Sequence, residues 1–273
     1  MLTSLYIPPN KLASIIDVKK ASSNQGVTRR RWAAIRNIES FYVKSLKRVA
    51  SAVGGFITDL FNAGKSNQIE ETLTTYSEII EPWAEAVATK MITEVNINDQ
   101  KAWLKHSGKK AYLMKEELKG LSVNEIIHEL RARQVHLIKS IPLEAAQRVQ
   151  DLAHEAVTVT SETWQAVAEK IRNSEQVSKS KSELIARTEV ARSQAIIQEA
   201  RARWIGSDNY IWHTLRDRKV RQDHQDLDRQ VFSWSDPPVS DKRTNTRSHP
   251  GCIWNCRCYA ESILPARFQV GNR

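Results

Sequence analysis

The residues best able to carry chemistry lie near the end of the 273-residue chain. All three cysteines fall in one short segment, and a histidine stands just before them, so four nitrogen and sulfur donors are close together in sequence. The four are His249, Cys252, Cys256 and Cys258. Such donors suit zinc. An odd, clustered set of cysteines indicates reduced thiols, a local structural role or a metal site rather than a disulfide framework.

The spacing of these donors is poor for a common zinc motif. Cys256 and Cys258 are one residue apart, so on a strand they share one face, but a paired Cys-x-x-Cys hook is absent. The alternative is that the thiols, with His224 and His249, fill a small core and satisfy backbone groups. We therefore expect no cofactor, and zinc stays open as the other interpretation.

A hydrolytic or nuclease site would require Asp217, His224 and His249 to act together. The chain offers no Gly-rich phosphate loop, no nucleophile elbow and no His-Glu-x-x-His helix to support such a site. Asp217, Arg221 and His224 are better explained as a turn network, in which the carboxylate and the guanidinium pair and fix a loop between two strands. The sequence therefore favours a protein without enzymatic activity.

Four short motifs follow one another in the last third of the chain. They are Arg187-Thr188-Glu189, then Trp212-x-Thr214, then Asp217-x-Lys219-Val220-Arg221-x-x-His224, and finally His249-Pro250 followed by Cys256-Arg257-Cys258. This order resembles the Mu F-like phage head morphogenesis family, the minor head proteins that accompany the portal in tailed phages. The resemblance covers about residues 183–264, with a longer link between His-Pro and Cys-Arg-Cys than many members have.

The resemblance implies a minor capsid protein that is recruited with the portal protein during procapsid assembly. It would assemble in the host cytoplasm, stay inside the head of the virion near the portal, and act in DNA packaging or ejection. The implied partners are the portal protein, capsid or scaffold proteins and, without sequence specificity, double-stranded DNA; no membrane is implied during assembly. Two alternatives stay open: a metal-dependent nuclease or toxin-like effector carried by the C-terminal module, and a DNA-binding protein without capsid association.

The net charge of +10 is concentrated at the N-terminus. Residues 1–50 hold 10 Lys and Arg against 2 Asp and Glu, whereas residues 51–208 hold 20 against 22 and residues 209–273 hold 11 against 7. A cluster of this kind indicates a surface for nucleic acid or an acidic partner, and a solvated helix face is the alternative. The candidate nucleic-acid-binding residues are Lys19, Lys20, Arg29, Arg30, Arg31, Lys44, Lys47 and Arg48.

The composition predicts that mostly helical elements position these residues. Only 9 Gly and 8 Pro in this length favour long helices over a turn-rich β fold. At 41% hydrophobic and 26% charged, with no apolar run of membrane-spanning length and no signal-peptide pattern, we expect a globular protein that is not secreted. The predicted fold is mostly α: an extended helical N-terminal body, 1–182, with an optional division near 96–120, followed by a small α+β C-terminal module, 183–273.

Within the helical body, a first helix has apolar residues at helical spacing from Trp32 to Val49 and is expected to close at Gly54-Gly55. Pro82 predicts a kink or two helices. A loop is expected over 96–108, a break at Pro142, and a polar linker over 173–182.

In the module, a helix from about residue 183 to 204 leads to three candidate strands, near 210–215, 230–234 and 256–264, which are rich in strand-forming residues. The small side chains of the helix predict that Arg187-Thr188-Glu189 and the rest of this element pack against the strands.

Overall fold

The computed structural model describes the backbone of residues 25–158 and 164–269. Of the candidate DNA-binding residues, Lys19 and Lys20 lie outside the described residues, and the side chains of Arg29, Arg30 and Arg31 are likewise not described. None of the helices in the described part of the chain is long and apolar enough to cross a membrane.

Long helices dominate the structure, which confirms the predicted fold class. The helices are α1 Gln25–Asn62, α2 Ile69–Ile79, α3 Glu81–His106, α4 Ala111–Lys119, α5 Asn124–Thr158, α6 Trp164–Arg172, α7 Ser174–Trp204 and the short α8 Gln222–Leu227. Short 3-10 turns occur at Ser66–Gln68, Gly108–Lys110 and Ala266–Phe268.

The strands follow α7 and form a small antiparallel sheet. Its strands are β1 Asn209–His213, β2 Val231–Ser233 and β5 Tyr259–Ser262, and β1 lies in the middle of the order β2-β1-β5. Trp212 faces Ala260 across the β1–β5 pair. A separate hairpin joins β3 Val239–Asp241 to β4 Thr246–Arg247. The small α+β module at the C-terminus is therefore confirmed.

The chain divides into two compact units that are discontinuous in sequence. Among the described residues, the first comprises 25–37, 94–125 and 190–269, and the second comprises 38–93, 126–158 and 164–189. Residues 183–189 of α7 group with the second unit, and the rest of this helix from residue 190 groups with the first. The Arg187-Thr188-Glu189 triplet therefore belongs to the second unit, and the strands to the first.

The second unit is a helical assembly with an apolar core. The helical spacing predicted for the first helix is confirmed, since Ile38, Tyr42 and Leu46 all face the interior. They are joined there by Leu73 of α2 and Ile138 of α5, which are fully buried. Burial of such side chains is the main stabilising contribution to this unit.

In the first unit one hydrophobic cluster lies beneath the sheet and against the helices. It comprises Trp103, Met114, Leu118, Ala202, Ile205, Tyr210, Trp212, Trp234, Cys256, Cys258, Ala260, Leu264 and Phe268. Gln198 of α7 donates its Nε2 hydrogens to the Ala260 carbonyl at 2.9 Å and to Ser262 Oγ at 3.1 Å, which ties the helix to β5. The later half of α7 thus packs against the strands.

Four predicted interruptions are wrong, and each has a helix instead. Gly54 lies inside α1, residues 96–106 continue α3, Pro142 lies inside α5, and residues 174–182 form the start of α7. The two helices expected around Pro82 are present, since α2 ends at Ile79 and α3 begins at Glu81, with Pro82 as its second residue. Proline at an early helix position is tolerated because its missing N–H would have no helical acceptor there.

Candidate functional site

The two strand-face cysteines meet a histidine from a different part of the first unit. Cys256 and Cys258 lie just before β5, and His224 is carried by α8. His224 Nδ1 lies 3.6 Å from Cys256 Sγ and 3.4 Å from Cys258 Sγ. All three side chains are buried, and their donor atoms lie within 4.8 Å of one another. We call these three residues the His-Cys-Cys cluster.

Backbone and aromatic groups hold the cluster in place. The N–H of Gly251 points at Cys256 Sγ, 3.4 Å away. The rings of Trp212 and His224 meet edge to face, with centroids 5.5 Å apart. Since Trp212 lies in the central strand β1, the sheet supports the histidine directly.

The pKa values of the two thiols are shifted in opposite directions. The pKa of Cys256 is lowered well below its ordinary value, chiefly by a hydrogen bond from Cys258 and further by His224, against the opposing effect of burial. The pKa of Cys258 is raised, because its proton is held by the bond to Cys256 and because the site is buried. Negative charge in the cluster is therefore placed first on Cys256, beside the imidazole.

Arg221 does not pair with Asp217 as the turn-network hypothesis predicted. Instead Arg257 donates from Nη1 and Nη2 to the two carboxylate oxygens of Asp217, both at 2.6 Å. This bidentate contact is the main reason why the pKa of Asp217 is lowered. Arg221 Nη2 donates to the Trp254 carbonyl at 2.8 Å. Two arginines thus tie the loop after β1 to the segment that contains Trp254 and Arg257.

His249 and Cys252 lie outside the His-Cys-Cys cluster, which is the metal-compatible group of Cys, His and acidic residues found in the described part of the chain. The Nδ1 of His249 lies 3.1 Å from the Tyr210 hydroxyl, and its Nε2 lies 3.7 Å from Glu199. Burial lowers the pKa of His249, which keeps it neutral in this setting. The donor set that the structure assembles therefore keeps two of the four predicted residues and replaces the others by His224.

A small cavity of about 160 Å³ adjoins the cluster. Its lining residues are Lys219, Val220, Arg221, His224, Asn255, Cys256, Arg257 and Cys258. The lining contains three cationic side chains, so the cavity is suited to water or a small anion near the sulfur atoms.

Sequence reasoning missed several residues that shape this site. Asp228 accepts hydrogen bonds from the Thr214 N–H at 2.8 Å and from Arg216 Nε at 2.9 Å, which fixes the turn after β1. Arg192 of α7 donates from Nε and Nη2 to the Cys252 carbonyl at 3.0 and 2.8 Å. No sequence signal marks Arg192, because its partner is 60 residues away.

The loop between Pro250 and Cys256 requires a glycine at its first position. Gly251 has φ +88°, and a Cβ there would lie 3.2 Å from the Ala191 carbonyl oxygen. We expect Gly251→Ala to lower the free energy of unfolding by about 1–3 kcal/mol, since a left-handed backbone and a crowded Cβ both cost energy. Thermal and denaturant unfolding measure this change.

Gly55→Ala is the matched control for that substitution. Gly55 lies inside α1, is exposed, and has no atom within 4 Å of an added Cβ. Alanine should stabilise that helix by about 0.5–1 kcal/mol. If both substitutions shift stability in the same direction, the backbone requirement assigned to Gly251 is incorrect.

Comparison with known proteins shows a similarity to one phage protein family and to one bacterial protein. Residues 144–261 match the family model described as Phage Mu protein F like protein. Over 149 residues the chain is 28% identical to a Haemophilus influenzae protein named "Uncharacterized protein". The aligned region covers 55% of this chain and 32% of the length of that relative. No solved structure matches the chain. The family match contains all four motifs and confirms the resemblance that their order indicated.

Proposed function

We propose that the chain is a minor head protein of a tailed phage, because residues 144–261 match the model of the Mu protein F-like family. It assembles with the portal protein and with capsid or scaffold proteins in the host cytoplasm, and remains in the virion near the portal. The observation that carries the proposal is the family match, because it spans the segment from Arg187 to Cys258 that contains every motif.

The burial of the candidate site supports a structural role over a catalytic one. His224 is only 2% exposed and Cys256 only 3%, so neither side chain presents a nucleophile or base to a large substrate. Their contacts join α8 to the segment before β5. The arrangement fits a module that must be rigid during assembly.

Co-expression with the portal and major capsid proteins of one phage tests the head-protein proposal. We expect the full chain to copurify with the portal protein and to be present in DNA-filled heads after nuclease treatment of their exterior. A chain that stays out of the heads and cleaves plasmid DNA in the presence of Mg²⁺ or Zn²⁺ would support the nuclease alternative instead.

We also propose that the basic N-terminal segment, residues 1–50, contacts DNA phosphates without sequence specificity. Within the described residues, Lys44 and Arg48 are exposed on α1, whereas Lys47 forms an ion pair with Glu183. Lys44 and Arg48 therefore have charge available to a polyanion, and Lys47 has less. Phosphate binding of this kind weakens as salt rises, because it releases condensed counterions.

Glutamine substitutions measure this contribution directly. The variant replaces Arg29, Arg30, Arg31, Lys44, Lys47 and Arg48 by Gln. We expect weaker binding to unrelated DNA sequences and a log–log salt dependence that is shallower by up to about 5, at roughly 0.9 for each lost phosphate contact. Arg48→Gln alone should reduce the slope more than Lys47→Gln.

The matched control removes exposed lysines outside the segment: Lys101→Gln, Lys105→Gln and Lys109→Gln together. This triple variant should keep the slope of the parent chain. Equal slopes in the N-terminal variant and in this control would exclude residues 1–50 as the DNA-binding segment.

A further inference from the structure

The geometry of the His-Cys-Cys cluster matches the ligand shell of zinc. Zinc binds histidine nitrogen at about 2.0–2.1 Å and cysteine sulfur at about 2.3 Å in a tetrahedral arrangement, which places a nitrogen and a sulfur ligand about 3.6 Å apart. The two Nδ1–Sγ distances of the cluster are 3.6 and 3.4 Å. Both distances thus fit one ion held between the three donors.

Hydrogen bonds do not satisfy every polar atom of the cluster. Nδ1 of a neutral histidine has one lone pair, so it accepts a proton from one thiol and not from both. Among the described residues, the Nε2 of His224 is buried without a hydrogen-bond partner, and the ring of this histidine contacts that of Trp212. A metal ion would bind Nδ1 and both sulfur atoms at once.

The surroundings also favour thiolates. The Gly251 N–H directed at Cys256 Sγ stabilises negative charge on that sulfur. Two thiolates would neutralise the charge of a divalent cation, which lets the ion occupy a buried position among apolar side chains. Arg257 is engaged by the Asp217 carboxylate, so part of the positive charge at the cavity is already compensated.

We propose that His224 Nδ1, Cys256 Sγ and Cys258 Sγ bind a zinc ion, with solvent from the adjoining cavity as the fourth ligand. Cys256 and Cys258 follow His224 by 32 and 34 positions along the chain, so the ion would cross-link α8 to the segment before β5. The strands joined in this way contain only three to five residues each, and small elements of this kind gain most from such a link. This inference does not depend on the head-protein proposal.

Metal analysis of the full chain tests the site. The protein is produced in zinc-supplemented medium, dialysed against metal-free buffer and measured by elemental mass spectrometry. We expect about one zinc per chain, because the three donor atoms converge on one position. Cys256→Ser, Cys258→Ser and His224→Gln should each lose the zinc. Cys252→Ser and His249→Gln are the matched controls and should retain it, because neither residue belongs to the cluster.

Cobalt substitution gives a readout that does not depend on any variant folding. The metal-free parent chain titrated with Co²⁺ should show sulfur-to-cobalt charge-transfer absorption and the visible bands of tetrahedral cobalt, with saturation at about one equivalent. A strong chelator should lower the melting temperature of the zinc-loaded chain. Absence of zinc and of cobalt–thiolate absorption in the parent chain overturns the proposal, as does loss of zinc in Cys252→Ser or His249→Gln with retention in Cys256→Ser.

Discussion

Asp99→Ala should lower the free energy of unfolding by about 3–5 kcal/mol, the range for removing one partner of a buried ion pair. Asp99 is 0% exposed and Arg201 is 5% exposed. Arg201 donates from Nη1 to Asp99 Oδ2 at 2.6 Å and from Nη2 to Asn96 Oδ1 at 2.6 Å, and Trp103 Nε1 donates to the same Asp99 oxygen at 3.1 Å. Without the carboxylate, the guanidinium charge stays buried beside an unpaired indole. Denaturant unfolding monitored by circular dichroism measures the loss.

Two further variants show whether the buried charge causes this effect. Asp99→Leu combined with Arg201→Met should recover most of the lost stability, because apolar replacement of a whole buried ion pair is often close to neutral. Lys119→Ala breaks an exposed i,i+3 pair with Glu116 and should cost less than about 1 kcal/mol. If the double variant is as unstable as Asp99→Ala, packing rather than electrostatics explains the loss.

Periodic features of the sequence predicted several elements of the fold. The spacing of Ile38, Tyr42 and Leu46 predicted a buried helix face, and all three side chains are buried. The strand-forming residues around Trp212 predicted β1, and those around Phe232 predicted β2. Such patterns reflect which face of an element is apolar, and this property is encoded locally.

Two of the wrong interruptions arise where close packing uses small or polar residues. The segment predicted as a polar linker carries Ser174, Ser178 and Ser182 at four-residue intervals, and all three are buried. Arg148 donates to the Ser174 carbonyl at 3.3 Å. This face of α7 is therefore interior although it is not apolar, and a reading based on hydrophobic spacing cannot identify it.

In α1, Gly54 is another small residue that is buried in close packing. It was expected to end the helix, yet a Cβ at this position would lie 2.5 Å from the Cβ of Glu175. The glycine is therefore required by the close approach of the two helices within the second unit. A single sequence does not distinguish a glycine that is needed for packing from a glycine that ends a helix.

The pairing of the candidate-site residues depended on contacts that a sequence does not display. Asp217 pairs with Arg257, 40 positions away, rather than with the nearby Arg221. The cysteines meet His224 rather than His249, although His249 is closer to them in sequence. The residue types of the site could thus be predicted, whereas their partners are set by how the loops around β1 and β5 fold.

Glu189→Ala should lower the free energy of unfolding by about 2–4 kcal/mol, because it leaves buried hydrogen-bonding groups without their acceptor. Glu189 is 1% exposed and receives hydrogen bonds from Arg133 Nε at 2.8 Å and from Gln134 Nε2 at 3.0 Å. Gln134 Oε1 in turn accepts the hydroxyl of the buried Tyr42 at 3.0 Å. Burial and the charge of Glu189 raise the pKa of this tyrosine, so the hydroxyl stays a donor. Arg133 is 46% exposed and can turn to solvent, so the expected loss is smaller than for Asp99→Ala.

Arg187→Ala provides a matched control two positions away in the same motif. Arg187 is half exposed and donates to Glu39 at 3.2 Å, so its removal should cost less than about 1 kcal/mol. Glu189→Gln keeps the shape and one acceptor, and should fall between the two alanine variants. Equal stability of Arg187→Ala and Glu189→Ala would show that the buried network contributes little.

If Glu189→Ala instead unfolds at the parent's denaturant midpoint but no longer copurifies with the portal protein, then Glu189 serves the partner interface. Its place in the family motif would in that case reflect binding, because a residue that acts only through the core changes both measurements together.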